Sequence, residues 1–294
     1  MQGRYFKAMY SGRNRYWSFP LSVLLVGLFS GCLVLNVADD EGQLPQSIDA
    51  NLYSLSGADL NVHRSGDAAG IPVVFIHGTP GSASFFTSYL SNPSLQDLQL
   101  FAIDRPGWGN SEMRGEFKAT LASQSDILGE WLCRIADNSA QNKLLIVAHS
   151  YGATLTPRLI ADHPRCISAA LLLAGAADPQ LAAPRWYNTI TNVPPVSWLV
   201  SLSGMGLKRS NDEMMQVQTG LEEMRARWSS INIPVTVIQG ETDMLVHPDN
   251  ADFIESNLAH LPAEVIRFED DGHMIVHSRR EFVIAQLRKM LEVM

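Results

Sequence analysis

Short apolar runs recur along the chain and alternate with longer amphipathic stretches. Val73–His77, Leu98–Asp104, Leu144–His149, Ala169–Ala174, Val235–Gly240 and Glu264–Glu269 are compact and bounded by turn residues. That is the pattern of strands buried on both faces. Between most of them lie stretches of helical character, Ser82–Leu90, Ala119–Ala136, Gly152–His163, Asp249–Asn257 and Arg279–Leu291. Strand and helix in alternation predict an α/β fold with a mainly parallel sheet covered on both sides. Ahead of this rhythm, Asn51–Arg64 alternates around Gly57-Ala58-Asp59 and predicts a β-hairpin. No internal repeat is visible.

One interval breaks the rhythm. From 177 to 230 no good strand appears, and the text is rich in Pro, Trp, Met and Leu, with Trp186, Trp198, Met205, Met214, Met224 and Trp228 among them. A segment of that length inside an α/β domain predicts a helical cap rather than a loop. Because it leaves after one strand and returns before the next, it should cover the carboxyl ends of the strands, where sites in open α/β sheets lie. The organisation expected is therefore an export signal or anchor over 1–31, a tether over 32–50, a core over 51–176, the cap over 177–230, and the rest of the core over 231–294.

The N-terminal expectation comes from charge and hydropathy. Arg4, Lys7, Arg13 and Arg15 precede the apolar stretch Phe19–Cys32, as in a bacterial export signal. Phe29-Ser30-Gly31-Cys32 resembles a lipobox, in which the cysteine is lipidated, although Phe29 stands where leucine is usual. The other reading is an uncleaved anchor, because apolar character continues through Leu33-Val34-Leu35. Both put the body of the chain outside the cytoplasm and tie it to a membrane. The net charge is −8 and four bases sit in the leader, so the body is acidic and offers a nucleic acid no electrostatic footing. Of the remaining cysteines, Cys133 and Cys166 each sit in an apolar neighbourhood, where a free buried thiol is the commoner outcome. An oxidising compartment would also permit a bridge.

Candidate chemistry begins at Ala148-His149-Ser150-Tyr151-Gly152, directly after the apolar run Leu144–Val147. Small-x-Ser-x-small at the end of a buried strand lifts a serine hydroxyl clear of the sheet, on a turn too sharp for larger neighbours. Ala148 stands where glycine is usual. Further on, Asp243 lies in the turn after one strand and His273 in the turn after the last. A serine nucleophile needs a base, an acid to orient that base, and donors for an oxyanion.

With HGTPGS (77–82), DRPGWGNSE (104–112), AHSYGA (148–153), QGETD (239–243) and DGH (271–273), the chain from Asn51 onwards resembles the α/β-hydrolase fold superfamily. The resemblance implies Ser150 as nucleophile, His273 as base and Asp243 as its orienting acid. The backbone N–H groups of Tyr151 and Thr79 would form the oxyanion hole. It places the cap after strand 6 and calls for no cofactor. His247 and His277 compete with His273, and Asp178 with Asp243. His77 and His149 are expected to support loops, Asp104 and Arg105 to be structural, and Arg185 and Arg209 to be solvated or to meet an anionic group. A serine in this place argues against dehalogenase or epoxide-hydrolase chemistry. The expected reaction is hydrolysis of a small carboxylic ester with an apolar acyl or aromatic part. A proline-iminopeptidase-like amidase and a cofactor-free perhydrolase could use the same residues. A non-catalytic binding lipoprotein on this scaffold should carry a broken set.

Overall fold

The computed structural model describes residues 44–140, 142–194, 197 and 205–294. Its centre is a sheet ordered β1-β2-β4-β3-β6-β7-β8-β9, with the two-residue β5 (Glu112–Met113) pairing β2 to one side. β1 (Asp49–Ser54) and β2 (Ala58–Gly66) form the antiparallel hairpin expected around Gly57. From β3 (Pro72–Ile76) and β4 (Gln99–Ile103) through β6 (Leu145–His149), β7 (Ala169–Leu173), β8 (Val235–Gly240) and β9 (Glu264–Phe268), all neighbours are parallel.

Of the parallel strands, β3 and β7 are apolar at every position, and β4 and β6 at all but one, because both faces are covered. Val74, Ile76, Ile146 and Ala148 enter one core with Leu128, Leu132, Leu155 and Leu159 of the helices Leu121–Asn138 and Tyr151–Asp162. Val73, Phe75, Leu145 and Val147 enter the opposite core, with Phe86, Tyr89, Val283 and Leu287. This is the strict alternation of a strand, read on two buried faces at once.

The chain steps from β3 to β4 in one direction and then returns to the other side of β3 for β6. Strand order therefore reverses between β3 and β6, and the crevice at their carboxyl ends is the switch point where such sheets bind ligands. His77-Gly78-Thr79 leaves one of these strands and Ser150 the other.

The insertion between β7 and β8 is helical, with Trp186–Ile190 and the twenty-residue Met205–Met224 as its described α-helices. It follows the sixth strand of the sequence reading, which is β7 here because β5 was too short to leave a pattern. Val217 and Leu221 anchor it in the first core. Two expectations shift. Ile48 is buried and β1 begins at Asp49, two residues inside the stretch read as tether. Cys133 and Cys166, read as more commonly free, form a disulfide with Cα atoms 4.7 Å apart. The helices Leu121–Asn138 and Tyr151–Asp162 pack against each other, and this brings together thiols 33 residues apart. The export signal or anchor over 1–31 and Cys32 lie outside the described residues. Among the described residues no helix is long and apolar enough to cross a membrane.

Candidate active site

Ser150 takes φ 55° and ψ −121°, a conformation side chains rarely adopt. It is imposed by the join of β6 to the helix Tyr151–Asp162. The Ser150 N–H still donates to Leu173 O at 2.9 Å, as a strand residue would, while its carbonyl accepts from Thr154 N at 2.9 Å and opens the helix. Neighbours must be small. A Cβ on Gly152 would lie 2.4 Å from Ile76 O, and one on Gly78 2.8 Å from the Ser150 Cβ. Ala148 is fully buried, and its methyl fits where glycine is usual.

Ser150, Asp243 and His273 come together although they leave three different strands. His273 Nε2 lies 2.9 Å from Ser150 Oγ, and His273 Nδ1 lies 2.8 Å from Asp243 Oδ2. Burial pushes the Asp243 carboxyl up, but the hydrogen bond and charge of His273 and the N–H groups of Val246 and Leu245 outweigh it and hold the group below its ordinary value. An ionised Asp243 can only accept, so Nδ1 carries the imidazole proton and Nε2 is left to accept from the serine hydroxyl. The rivals lie elsewhere. His247 is exposed beside Asp249, and His277 packs on Phe85 with ring centroids 4.4 Å apart. Asp178 accepts from Gln180 N and donates its own N–H to Asn250.

His149 and His77 brace the loops on either side, as expected. Burial pushes His149 down to about 3, so it is neutral, and its Nε2–H donates to the His273 carbonyl at 2.8 Å. Its ring stacks on Phe85. Burial, aided by the Arg105 charge, drives His77 well below the usual histidine range. Its Nδ1–H donates to Gly78 O at 2.7 Å, and its Nε2 accepts the Arg105 N–H at 3.0 Å. Asp104 is structural, accepting from Asn61, Ala83 and Asn110.

The cap is tied down by side chains whose partners sequence alone did not reveal. Arg185 donates to the carbonyls of Met244 and Leu245, and Arg209 to that of Gly107. Glu213 was not singled out at all. It is fully buried, takes both ends of the Arg105 guanidinium at 2.6 and 3.1 Å, and also accepts from Trp108 Nε1 and Gln124 Nε2. Nothing in the local sequence separates it from Asp212, Glu222 and Glu223 on the same helix. Among the described residues no cluster of three or more His, Cys, Asp or Glu side chains is gathered as metal ligands would be.

Residues 73–286 match the model of the α/β-hydrolase family, and the chain belongs to that family. Solved structures agree on the fold. The Cif epoxide hydrolase from Acinetobacter nosocomialis superposes with a TM-score of 0.68 at 16% identity, over 96% of this chain and 100% of its own. A haloalkane dehalogenase from Bradyrhizobium elkani gives 0.63 at 16%, over 80% and 94%. A lipase-esterase related protein from Clostridium acetobutylicum gives 0.61 at 14%, over 79% and 99%. No curated protein sequence matches the chain.

Proposed function

We propose that this α/β-hydrolase is a serine hydrolase that cleaves carboxylic esters with an apolar acyl or aromatic part, working outside the cytoplasm on a membrane tether. The observation that carries this reading is the hydrogen-bonded run from Ser150 Oγ through His273 to the buried Asp243, at the switch point of the sheet. Ser150 Oγ attacks the ester carbonyl as His273 Nε2 takes its proton. The oxyanion is held by the N–H groups of Tyr151 and Thr79, each worth about 3 kcal/mol in comparable sites. Asp243 stabilises the imidazolium, which then protonates the departing alcohol. Water, activated by the same histidine, releases the acid from Ser150.

Apolar preference is supported by the exposed side chains near these loops. Met244 and Leu245 follow Asp243, Met274 follows His273, and Leu181, Ile190 and Val193 belong to the cap. A serine in the nucleophile position, where a carboxylate would be needed for dehalogenation or epoxide opening, favours acyl transfer over the chemistry of two of the structural neighbours. A fluorophosphonate probe should label the wild-type protein and leave Ser150→Ala unlabelled. An unlabelled wild type would end the reading, and a panel of nitrophenyl esters, aminoacyl-arylamides and peracid assays then separates esterase from amidase and perhydrolase.

The Cys133–Cys166 bridge supports an oxidising compartment, in keeping with the basic, apolar leader. Lipidation at Cys32 is the proposed anchor. Cell fractionation of Cys32→Ser should move the protein from the membrane to the soluble fraction, and continued membrane retention would favour the uncleaved helix.

A further inference from the structure

The guanidinium of Arg105 is shared between the His77-Gly78 turn and the ring of Tyr151. It donates through Nε to His77 O at 3.0 Å and through Nη2 to Gly78 O at 2.9 Å. Its centre lies 4.4 Å over the ring of Tyr151, within cation–π range. The Gly78–Thr79 peptide is trans, so its carbonyl and its N–H point in opposite directions in one plane. Holding the Gly78 carbonyl with Arg105 on one side, together with the His77 Nδ1–H, therefore aims the Thr79 N–H to the other side. Gly78 itself lies against Ser150. One cation thus holds the peptide that carries the Thr79 N–H and packs on the side chain of Tyr151.

What fixes that cation comes from the cap. Glu213 lies on the helix Met205–Met224 and grips the guanidinium as a bidentate fork, with neither side chain exposed. Gln124 and Trp108 complete the set by donating to the same carboxylate oxygen, and Gln124 also accepts from Arg105 Nη1. Breaking a buried pair leaves an uncompensated charge, whereas replacing both partners by apolar groups is often tolerated. Here the pair also satisfies the His77 and Gly78 carbonyls, Trp108 and Gln124, so removing both charges has a structural cost that has to be separated from any effect on catalysis.

Resting on the reading of Ser150 as the attacking group, we infer that Arg105 and Glu213 are a positioning pair. Through them the seated cap sets the direction of the Thr79 N–H and the seat of Tyr151, so that the oxyanion hole is complete only when the cap is docked. The pair's hydrogen bonds go to His77, Gly78, Gln124 and Trp108, so it would act through other residues.

The test compares Glu213→Gln and the double variant Arg105→Met/Glu213→Leu with wild type, after melting curves show which of them fold. The double variant removes both charges and keeps the volume. The expected result in a folded variant is a kcat lowered on the order of tenfold to a hundredfold, the usual penalty for a displaced catalytic group, with KM changed less than about threefold. Inhibition by a trifluoromethyl ketone, whose adduct carries the oxyanion, should weaken in step with kcat. The pH at which kcat/KM half-rises should stay where it is in wild type. A folded double variant with wild-type kcat and unchanged ketone affinity overturns the inference, and so does a loss confined to KM or a displaced pH profile. Failure of wild type to react with fluorophosphonate would instead remove the reading of Ser150 on which the inference rests.

Discussion

The proposed approach of a carbonyl to Ser150 depends on close positions, Gly78 and Gly152, that carry no side chain. Gly78 is the most exacting of them. The Cβ of Gly78→Ala would sit 2.8 Å from the Ser150 Cβ and 3.2 Å from its Oγ, in the space that the proposed attack at Ser150 needs. Ester turnover in this variant should fall by about a hundredfold, and the melting temperature should fall too, because the contact with the Ser150 Cβ is too close to be taken up without a shift of the loop; undiminished turnover would mean that the loop yields without disturbing the site. Gly152→Ala is different in kind, since its Cβ would meet the Ile76 and His77 carbonyls, which cannot swing aside. Ser150, Asp243 and His273 were legible because each sits in a turn directly after an apolar run, where strand ends converge. The Arg105–Glu213 pair was not. Its members are 108 residues apart, and Glu213 follows Asp212, which pairs with Lys208 at the surface. Adjacent residues on a helix point about 100° apart, so one acid meets water and the next is buried, a difference that periodicity in so irregular a segment does not reveal.

Between elements, the bridge Cys133–Cys166 joins the helix Leu121–Asn138 to the loop that follows Tyr151–Asp162. Closing a loop of 33 residues restrains the unfolded chain by between about 3 and 4 kcal/mol in the chain-entropy view. Reductant, or Cys133→Ala with Cys166→Ala, should lower the unfolding free energy in urea by about that amount. A denaturation midpoint indifferent to reductant would show that helix packing alone suffices. The strands and the hairpin were read to within a few residues because burial on two faces leaves unbroken apolar runs. Ser82–Leu90, read as one helix, is instead a 3₁₀ turn, Ala83–Phe86, leading into Thr87–Leu90. The Ala83 N–H is drawn to Asp104 Oδ1 at 2.6 Å, a partner from the next strand's end that local pattern does not display. The bridge was hidden for the same reason: which helix faces meet is a tertiary fact.

At the scale of the whole molecule, two buried neutral histidines shape the dependence of stability on acid. Unfolded, His77 and His149 titrate near 6.5; folded, His149 is pushed down to about 3 and His77 well below the ordinary value, in both cases mainly by burial. Below about pH 6.5 the unfolded chain thus binds more protons, so stability rises with pH in that window and is lost as acid is added. The slope is about 1.4 kcal/mol per pH unit for each histidine. Asp243, held below its usual value, acts in the same sense at lower pH. Urea titrations between pH 6 and 4 should show this decline, and His149→Gln should remove roughly one histidine's share of it. A slope that His149→Gln leaves intact would show that protons enter elsewhere.

The insertion leaves after β7 and returns into β8, both strands of the same sheet, which makes it a natural unit for transplantation between hydrolases. The Arg105–Glu213 contact sets a rule for such grafts. A foreign cap that brings no carboxylate to the place of Glu213 would strand a guanidinium in the interior, and the chimera would suffer whatever its new pocket recognised. Caps grafted onto this chain should therefore be chosen by charge matching at one point before they are chosen by shape, or should replace Arg105 together with the cap.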